Sequence, residues 1–470
     1  MPEILKGILN KVILSVGGGA SWYLLASIVQ GSLTLVTATI FSHIMNQTDF
    51  GLLAIILAFS YFLTPVCSIG VSHAISRSLF DELVLGKKHL ISLGILIITS
   101  IIVLFAVVSL VVLGEKPSRE VTLVIISTAS LSMRELTLTL LRVNGSYKNF
   151  LVVISLMSLS GLIIPLICHI ILRAVVLESY VFTMLATQLL AISIFTLREK
   201  NSKEFTFSSL RYSLYVSVAV LPHTISIITL ANMDRIIMSQ ILSLQSIALY
   251  FGVFQLANVV FLIISSLSNS YSRSVLKEDI TFHLKRYEQD YKKILIMVLI
   301  LMLAVHTVGR FYLEIFFPDY FRDDVVFVSF AILCFSGFFQ VKYLMNVTLI
   351  SRLKSYKSLS FITPLILCLS ILNMTLLTLF FGIVGTALAY TCGNLFLSIA
   401  TQELLKRNEN PTFTSGKSIY LILASLGIGF YLTTKIESVL TIVGFLQATS
   451  CFLGSLSIFI LDKKLSITKF

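Results

Sequence analysis

The chain has 470 residues, of which 56% are hydrophobic and only 12% charged, against roughly 25% charged in soluble domains. The formal net charge of +12 invites a nucleic-acid reading, but the charges are confined to short segments between long apolar runs, which rules out a continuous basic face. About fourteen such runs of roughly twenty residues fill the sequence, and that many helical residues cross a ~30 Å hydrocarbon layer with every backbone group satisfied internally. The expected fold class is therefore an all-α polytopic membrane protein with about 14 transmembrane helices.

Residues 1–19 come first. Ile4, Leu5, Ile8, Leu9, Val12, Ile13 and Val16 share one helical face, with Glu3, Lys6, Asn10 and Lys11 opposite. This pattern suits a short interfacial helix, followed by a turn at Gly17, Gly18 and Gly19. No small-residue cleavage site is visible, so no cleaved signal peptide is expected. Spans are then predicted at 20–44, 50–73, 89–113, 119–141, 149–171, 178–197, 212–240, 246–270, 294–317, 324–349, 358–381, 383–405, 417–434 and 440–461. Residues 198–211 read as a linker, 273–293 as a second surface helix, and 406–470 as two extra spans with a tail. Loops on one side carry about 26 of the 35 Lys and Arg and loops on the other about five, so the basic side and both termini are expected to be cytoplasmic. The six cysteines (Cys67, Cys168, Cys334, Cys368, Cys392 and Cys451) stand singly in apolar runs, and no metal site is expected.

The sequence echoes itself. Ser42 to Leu52 after span 1 resembles Ser239 to Leu249 after span 7, and Ser72–Arg77 resembles Ser268–Arg273. Arg142–Lys148 after span 4 resembles Arg352–Lys357 after span 10. The three echoes keep their order, which predicts two six-helix lobes, 20–197 and 212–405. With an even number of spans per lobe, the two are related in parallel by a pseudo-twofold axis along the membrane normal.

Charges inside spans are costly, at least ~2.5–3.5 kcal/mol each, and usually line aqueous paths. Arg134 in span 4 and Lys342 in span 10 occupy nearly equivalent repeat positions, which suggests a site for a divalent anion. The competing reading pairs Arg134 with Glu135 and lets Lys342 snorkel to the headgroups. Asp234 and Arg235 in span 7, with Arg310 in span 9, form a second candidate station nearer the outer side. For Asp234 and Arg235 a structural ion pair is an equal alternative, although sequence neighbours point about 100° apart on a helix. Asp234 and His223 are candidate ion-coupling groups, with a hydrogen-bonded packing role as the other reading of His223. Pro65, Pro165, Pro222 and Pro364 each interrupt a span and permit bends. Ser27, Gln30, Gly31, Thr34 and Thr37 form a stripe suited to a cleft wall or to close helix packing. Gly416-Lys417-Ser418 lacks the first glycine and preceding strand of a phosphate loop, so no nucleotide site or cofactor is expected. No predicted outer loop exceeds about a dozen residues, which leaves little room for a membrane enzyme's catalytic loop, and no catalytic residue is assigned.

Several stretches carry a resemblance: Phe41 to Leu52, with Gly70 and Arg77; Leu141-Arg142; Met233-Asp234-Arg235-Ile236-Ile237; Ile247-Ala248-Leu249-Tyr250; and Phe381 to Ala387. In these the chain resembles the polysaccharide repeat-unit (O-antigen, Wzx-type) flippases of the multidrug/oligosaccharidyl-lipid/polysaccharide (MOP) exporter superfamily. Ala248 and Ser270–Arg273 depart from the pattern. The resemblance implies a bacterial inner-membrane protein that moves undecaprenyl-diphosphate-linked oligosaccharide between leaflets. It also implies a polysaccharide polymerase and a chain-length regulator as partners besides membrane lipids, and no nucleic acid. Arg142, carried by the likeness, joins Arg134, Lys342, Arg235 and Arg310 as a substrate-binding candidate. A cation-coupled multidrug exporter of the same superfamily is the alternative, and a membrane enzyme of glycan assembly a more distant one.

Overall fold

The computed structural model describes residues 18–68, 72, 118–143, 145–173, 175–197, 207–277, 280–316, 324–353 and 356–409. Predicted span 3, spans 13 and 14, residues 1–17, Cys451 and the side chain of Arg310 lie outside the described residues. The described chain is helical: α1 (Gly18–Ile44), α2 (Gln47–Cys67), α3 (Arg119–Val143), α4 (Tyr147–Leu172), α5 (Val176–Leu197), α6 (Phe207–Ile241), α7 (Leu244–Lys277), α8 (Ile280–Phe316), α9 (Asp324–Arg352) and α10 (Tyr356–Glu409). Eight stretches within these helices are long and apolar enough to cross a membrane. The chain is a polytopic helical membrane protein.

Local chemistry sets the boundaries. The α1–α2 turn is closed by Asn46, whose side chain accepts the Asp49 N–H at 2.7 Å and the Thr48 hydroxyl at 2.7 Å, an N-cap. In the echoed turn before α7, Ser243 does the same work, accepting from the Ser246 N–H at 3.3 Å. α10 holds two predicted spans. It breaks at Gly382, whose φ of 57° and ψ of −132° are open to glycine and strained for other residues. Pro65, Pro165, Pro222 and Pro364 all lie inside helices.

The segment 273–293 departs from expectation. It is no separate surface helix: α7 runs on to Lys277 and α8 starts at Ile280, so the two long helices extend beyond their apolar parts as a hairpin. Amphipathic patterning marks any half-buried helix, and here the buried side meets protein instead of lipid. Tyr271 meets the His283 ring edge-on at 6.1 Å, Tyr287 stacks on Tyr291, and Tyr287 donates to the Asn346 side chain of α9. Ser272 and Thr348 share a 2.9 Å hydrogen bond.

Packing follows the predicted repeat. α1 packs on α4, α2 on α3, and α3 on α5; correspondingly α6 packs on α10, α7 on α9, and α9 on α10. Across the middle, α1 meets α7 and α2 meets α6, pairs that exchange under a twofold operation, while α2 meets its own counterpart α7. One large core runs through this seam, including Phe41, Phe50, Ile247, Tyr250, Phe251 and Phe330. The outward faces of α4 and α10 are apolar and exposed, as at Ile167, Ile170, Phe361 and Leu365, which suits lipid contact.

Candidate functional site: a cationic cavity between the helices

A cavity of about 360 Å³ opens where α1–α7 converge, with Gln340 of α9 and Tyr390 of α10 completing it. Helical periodicity builds each wall. Gln30, Thr34, Thr37 and Phe41 form one stripe of α1; Phe50, Leu53, Leu57 and Tyr61 one stripe of α2; Phe251, Phe254, Gln255, Asn258 and Phe261 one stripe of α7. Met157, Ser158 and Gly161 of α4 and Tyr180, Met184, Thr187 and Gln188 of α5 close the remaining side. Three positions of the predicted α1 stripe, Gln30, Thr34 and Thr37, therefore line it. Gly31 of that stripe instead lets Leu262 approach closely.

Two cations border this space. Arg134 and Ser130, four residues apart, project from one face of α3. Glu135, 100° further round, turns away and accepts the Ser72 hydroxyl at 2.6 Å, so the structure gives that carboxylate to Ser72. Arg235 enters from α6 beside Ala231 and Asn232. It is buried, its guanidinium carbon 4.4 Å from the Phe254 ring centroid and 5.7 Å from that of Phe251, both within cation–π range. The long arginine stem overcomes the unfavourable angle to its neighbour. Arg235 Nε donates to Asp234 Oδ1 at 3.2 Å, and that oxygen also accepts the Arg235 backbone N–H at 2.8 Å. Asp234, with no exposed surface, takes a third donor from Tyr250 Oη at 2.8 Å.

No carboxylate is among the described residues that line the cavity. Its polar surface consists of the two arginines, six amides (Gln30, Gln188, Asn232, Gln255, Asn258 and Gln340), the tyrosines Tyr61, Tyr180 and Tyr390, and small hydroxyls. Such a lining offers positive charge together with neutral donors and acceptors. It suits a multiply hydroxylated anion better than a cation.

The other candidates fall elsewhere. Lys342 is half-buried and does not line the cavity; Gln340 does, and a residue two positions on lies about 200° around the helix. The structure thus does not bring Arg134 and Lys342 to one site and instead sets Arg134 and Arg235 around the same cavity. Arg142 ends α3 with its guanidinium 5.8 Å from the Phe150 ring, and its carbonyl accepts the Tyr23 hydroxyl at 3.4 Å. His223 is buried between α6 and α10, its Nδ1 3.1 Å from Thr363 Oγ1, outside the cavity lining. Gln188, Gln255, Asn258 and Gln340 escaped sequence reasoning; an amide inside an apolar run was the available signal. Among the described residues no cluster of histidine, cysteine or carboxylate side chains suits a metal ion.

At the predicted outer end, Phe50 of α2 meets Phe251 of α7 at 5.2 Å. Beside them Gly51 packs against the Leu244 carbonyl so closely that any Cβ would collide with it. This seam joins α2 to α7 on the side of the α1–α2 and α6–α7 turns.

No protein-family model and no curated protein sequence matches the chain. Solved structures do. The chain is similar to a variant MATE transporter of Vibrio cholerae (14% identity, TM-score 0.54, covering 87% of this chain and 99% of that one). It is also similar to a multidrug-resistance MATE transporter of the MOP superfamily in an outward-facing conformation (13%, 0.52, 83% and 96%). A third likeness is to a MOP-superfamily transporter of Pyrococcus furiosus, described by the reverse polarity of its binding pocket (12%, 0.53, 84% and 96%). At these identities the comparison shows a shared fold, that of the MATE-type transporters.

Proposed function

We propose that this protein is a transporter that carries an anionic, glycan-bearing lipid from the inner to the outer leaflet of a bacterial cytoplasmic membrane by alternating access. Undecaprenyl-diphosphate-linked oligosaccharide is the substrate, both termini lie in the cytoplasm, and the polymerase and chain-length regulator of polysaccharide assembly are its partners. One observation carries this reading: two arginines and six amides face a cavity whose described lining holds no carboxylate. Arg134 and Arg235 grip the diphosphate, the amides and tyrosines exchange hydrogen bonds with sugar hydroxyls, and the prenyl tail stays in lipid. Fixed donors of this kind replace hydration that the anion would lose, a loss of order 20 kcal/mol per ion in the Born limit. A membrane potential negative inside favours outward movement of a double negative charge by roughly 4–5 kcal/mol at 100 mV. Direction then needs no nucleotide, and Asp234 remains the candidate for ion coupling. Lys342 and Arg142, outside the described lining, take no part in the grip.

A second reading, a multidrug exporter, draws on the MATE fold and on the phenylalanine wall formed by Phe41, Phe50, Phe251, Phe254 and Phe261. A cationic drug would meet Arg134 and no lining carboxylate there, Arg235 being already paired with Asp234, which disfavours it. The test is surface polysaccharide export at matched protein levels. Each charge-assisted contact is worth about 1.5–3 kcal/mol, so Arg134→Ala loses export at least about tenfold while Arg134→Lys retains part of it. Unchanged export in Arg134→Ala together with altered drug resistance overturns the flippase reading in favour of the second.

A further inference from the structure

The two cavity arginines are not equivalent in their surroundings. Arg134 has no tie to the outer seam, whereas Arg235 lies over Phe251, the same ring that meets Phe50 of α2 across it. Phe50, Phe251, Phe254 and Arg235 are all buried, and Asp234, held by Tyr250, fixes the guanidinium from its other side. One side chain thus borders the cavity and lies over a ring of the α2–α7 contact.

We infer that Arg235 couples occupancy to opening: in the empty cavity it lies over Phe254 and holds Phe251 in place against Phe50 of α2, and an anionic headgroup that takes its guanidinium releases the seam. This rests on the anionic-substrate reading. The physical basis is competition for one cation. The guanidinium is attracted to the ring faces beside which Asp234 holds it, and a bound phosphate, a second anion on the cavity side, draws it away from them. The anion gains full contact with Arg235 only where the rings have let it go. It therefore binds the open-seam state more tightly, and a difference in affinity between states is what shifts a population. An uncharged lipid makes no such distinction. Arg134 supplies affinity, and Arg235 converts occupancy into movement. The Gly51–Leu244 contact makes the closed seam intolerant of small displacement, so loosening one ring is felt along the whole junction.

The experiment places spin labels at Gln47→Cys and Gln245→Cys, the exposed starts of α2 and α7, in the full chain with its native cysteines replaced. Distances are read in nanodiscs by pulsed electron resonance, with undecaprenyl diphosphate as the probe and undecaprenol as its uncharged control. With Arg235 and Phe254 intact, the diphosphate at least triples the long-distance fraction and undecaprenol leaves it unchanged. Arg235→Gln raises that fraction at least threefold with no lipid present and shows no further response to diphosphate, though binding through Arg134 persists. Phe254→Leu, which leaves the Asp234–Arg235 pair untouched, raises it at least twofold and keeps the brace testable should Arg235→Gln fail to fold. Distances in both variants identical to the parent, with and without diphosphate, overturn the inference. A parent protein that fails to bind undecaprenyl diphosphate overturns the anionic-substrate reading and the trigger with it. The lipid-free distances of the two variants then still decide for or against the brace.

Discussion

Replacing Asp234 by Asn leaves the shape of the α6 wall intact and removes one charge. Asp234 has no exposed surface and Arg235 only 3%, so the substitution strands a buried guanidinium. Breaking a buried pair by removing one partner costs about 3–5 kcal/mol. Water in the cavity beside Arg235 offsets part of that, which places the pair near the lower end, about 3 kcal/mol. The Asn carbonyl oxygen still accepts from Tyr250, but the bond falls from charge-assisted to neutral, adding about 1 kcal/mol. The expected loss is thus about 3–4 kcal/mol, read from reversible unfolding in mixed micelles at rising dodecyl sulfate. The double variant Asp234→Asn/Arg235→Gln removes the stranded charge as well and recovers at least about 1.5 kcal/mol of the loss, the coupling a double-mutant cycle isolates. An Asp234→Asn protein within about 0.5 kcal/mol of the parent refutes the reasoning, because that is the range of an ordinary surface change.

Three further outcomes follow from the geometry. Lys342→Ala, outside the cavity lining, keeps more than half of the export that Arg134→Ala loses, measured as surface polysaccharide at matched protein levels. Gly51→Val forces α2 off the Leu244 carbonyl, and the label pair on Gln47→Cys and Gln245→Cys reports a long-distance fraction at least doubled without lipid. Gly382→Ala places a Cβ in a positive-φ conformation essentially confined to glycine at a cost of about 1–3 kcal/mol, seen as a lower yield of folded protein and a lower unfolding midpoint.

Depth was easier to read from sequence than direction. The apolar runs located the described helices, although α7 and α8 extend seven and fourteen residues past their predicted spans, and even the break between two predicted spans coincides with Gly382, because the hydrocarbon layer dictates how long a run must be. Arg134 and Lys342 were matched by depth, yet only the first borders the cavity, since two residues of offset in a 3.6-residue helix reverse the facing side. A stripe such as Gln30, Thr34 and Thr37 reveals its direction through repetition. A single Gln188 or Gln340 does not, and only the neighbouring helices settle which way it looks. The Asp234–Arg235 pair shows the opposite limit. Sequence reading held a structural ion pair open despite the 100° between neighbours, and side-chain length made that pair while the Tyr250 hydroxyl joined it. The 273–293 stretch was misplaced because one polar–apolar alternation serves both a leaflet surface and a protein groove.

The contact between α2 and α7 has a mechanical implication. Because each is the other's counterpart in the repeat, their contact is the one that the pseudo-twofold operation maps onto itself, while it exchanges the flanking α1–α7 and α2–α6 contacts. Under the alternating access proposed above, such a self-paired contact is the fulcrum of a seesaw whose two ends open in turn. Bulk added at that pivot stiffens both strokes at once, whereas bulk added at either tip biases only one.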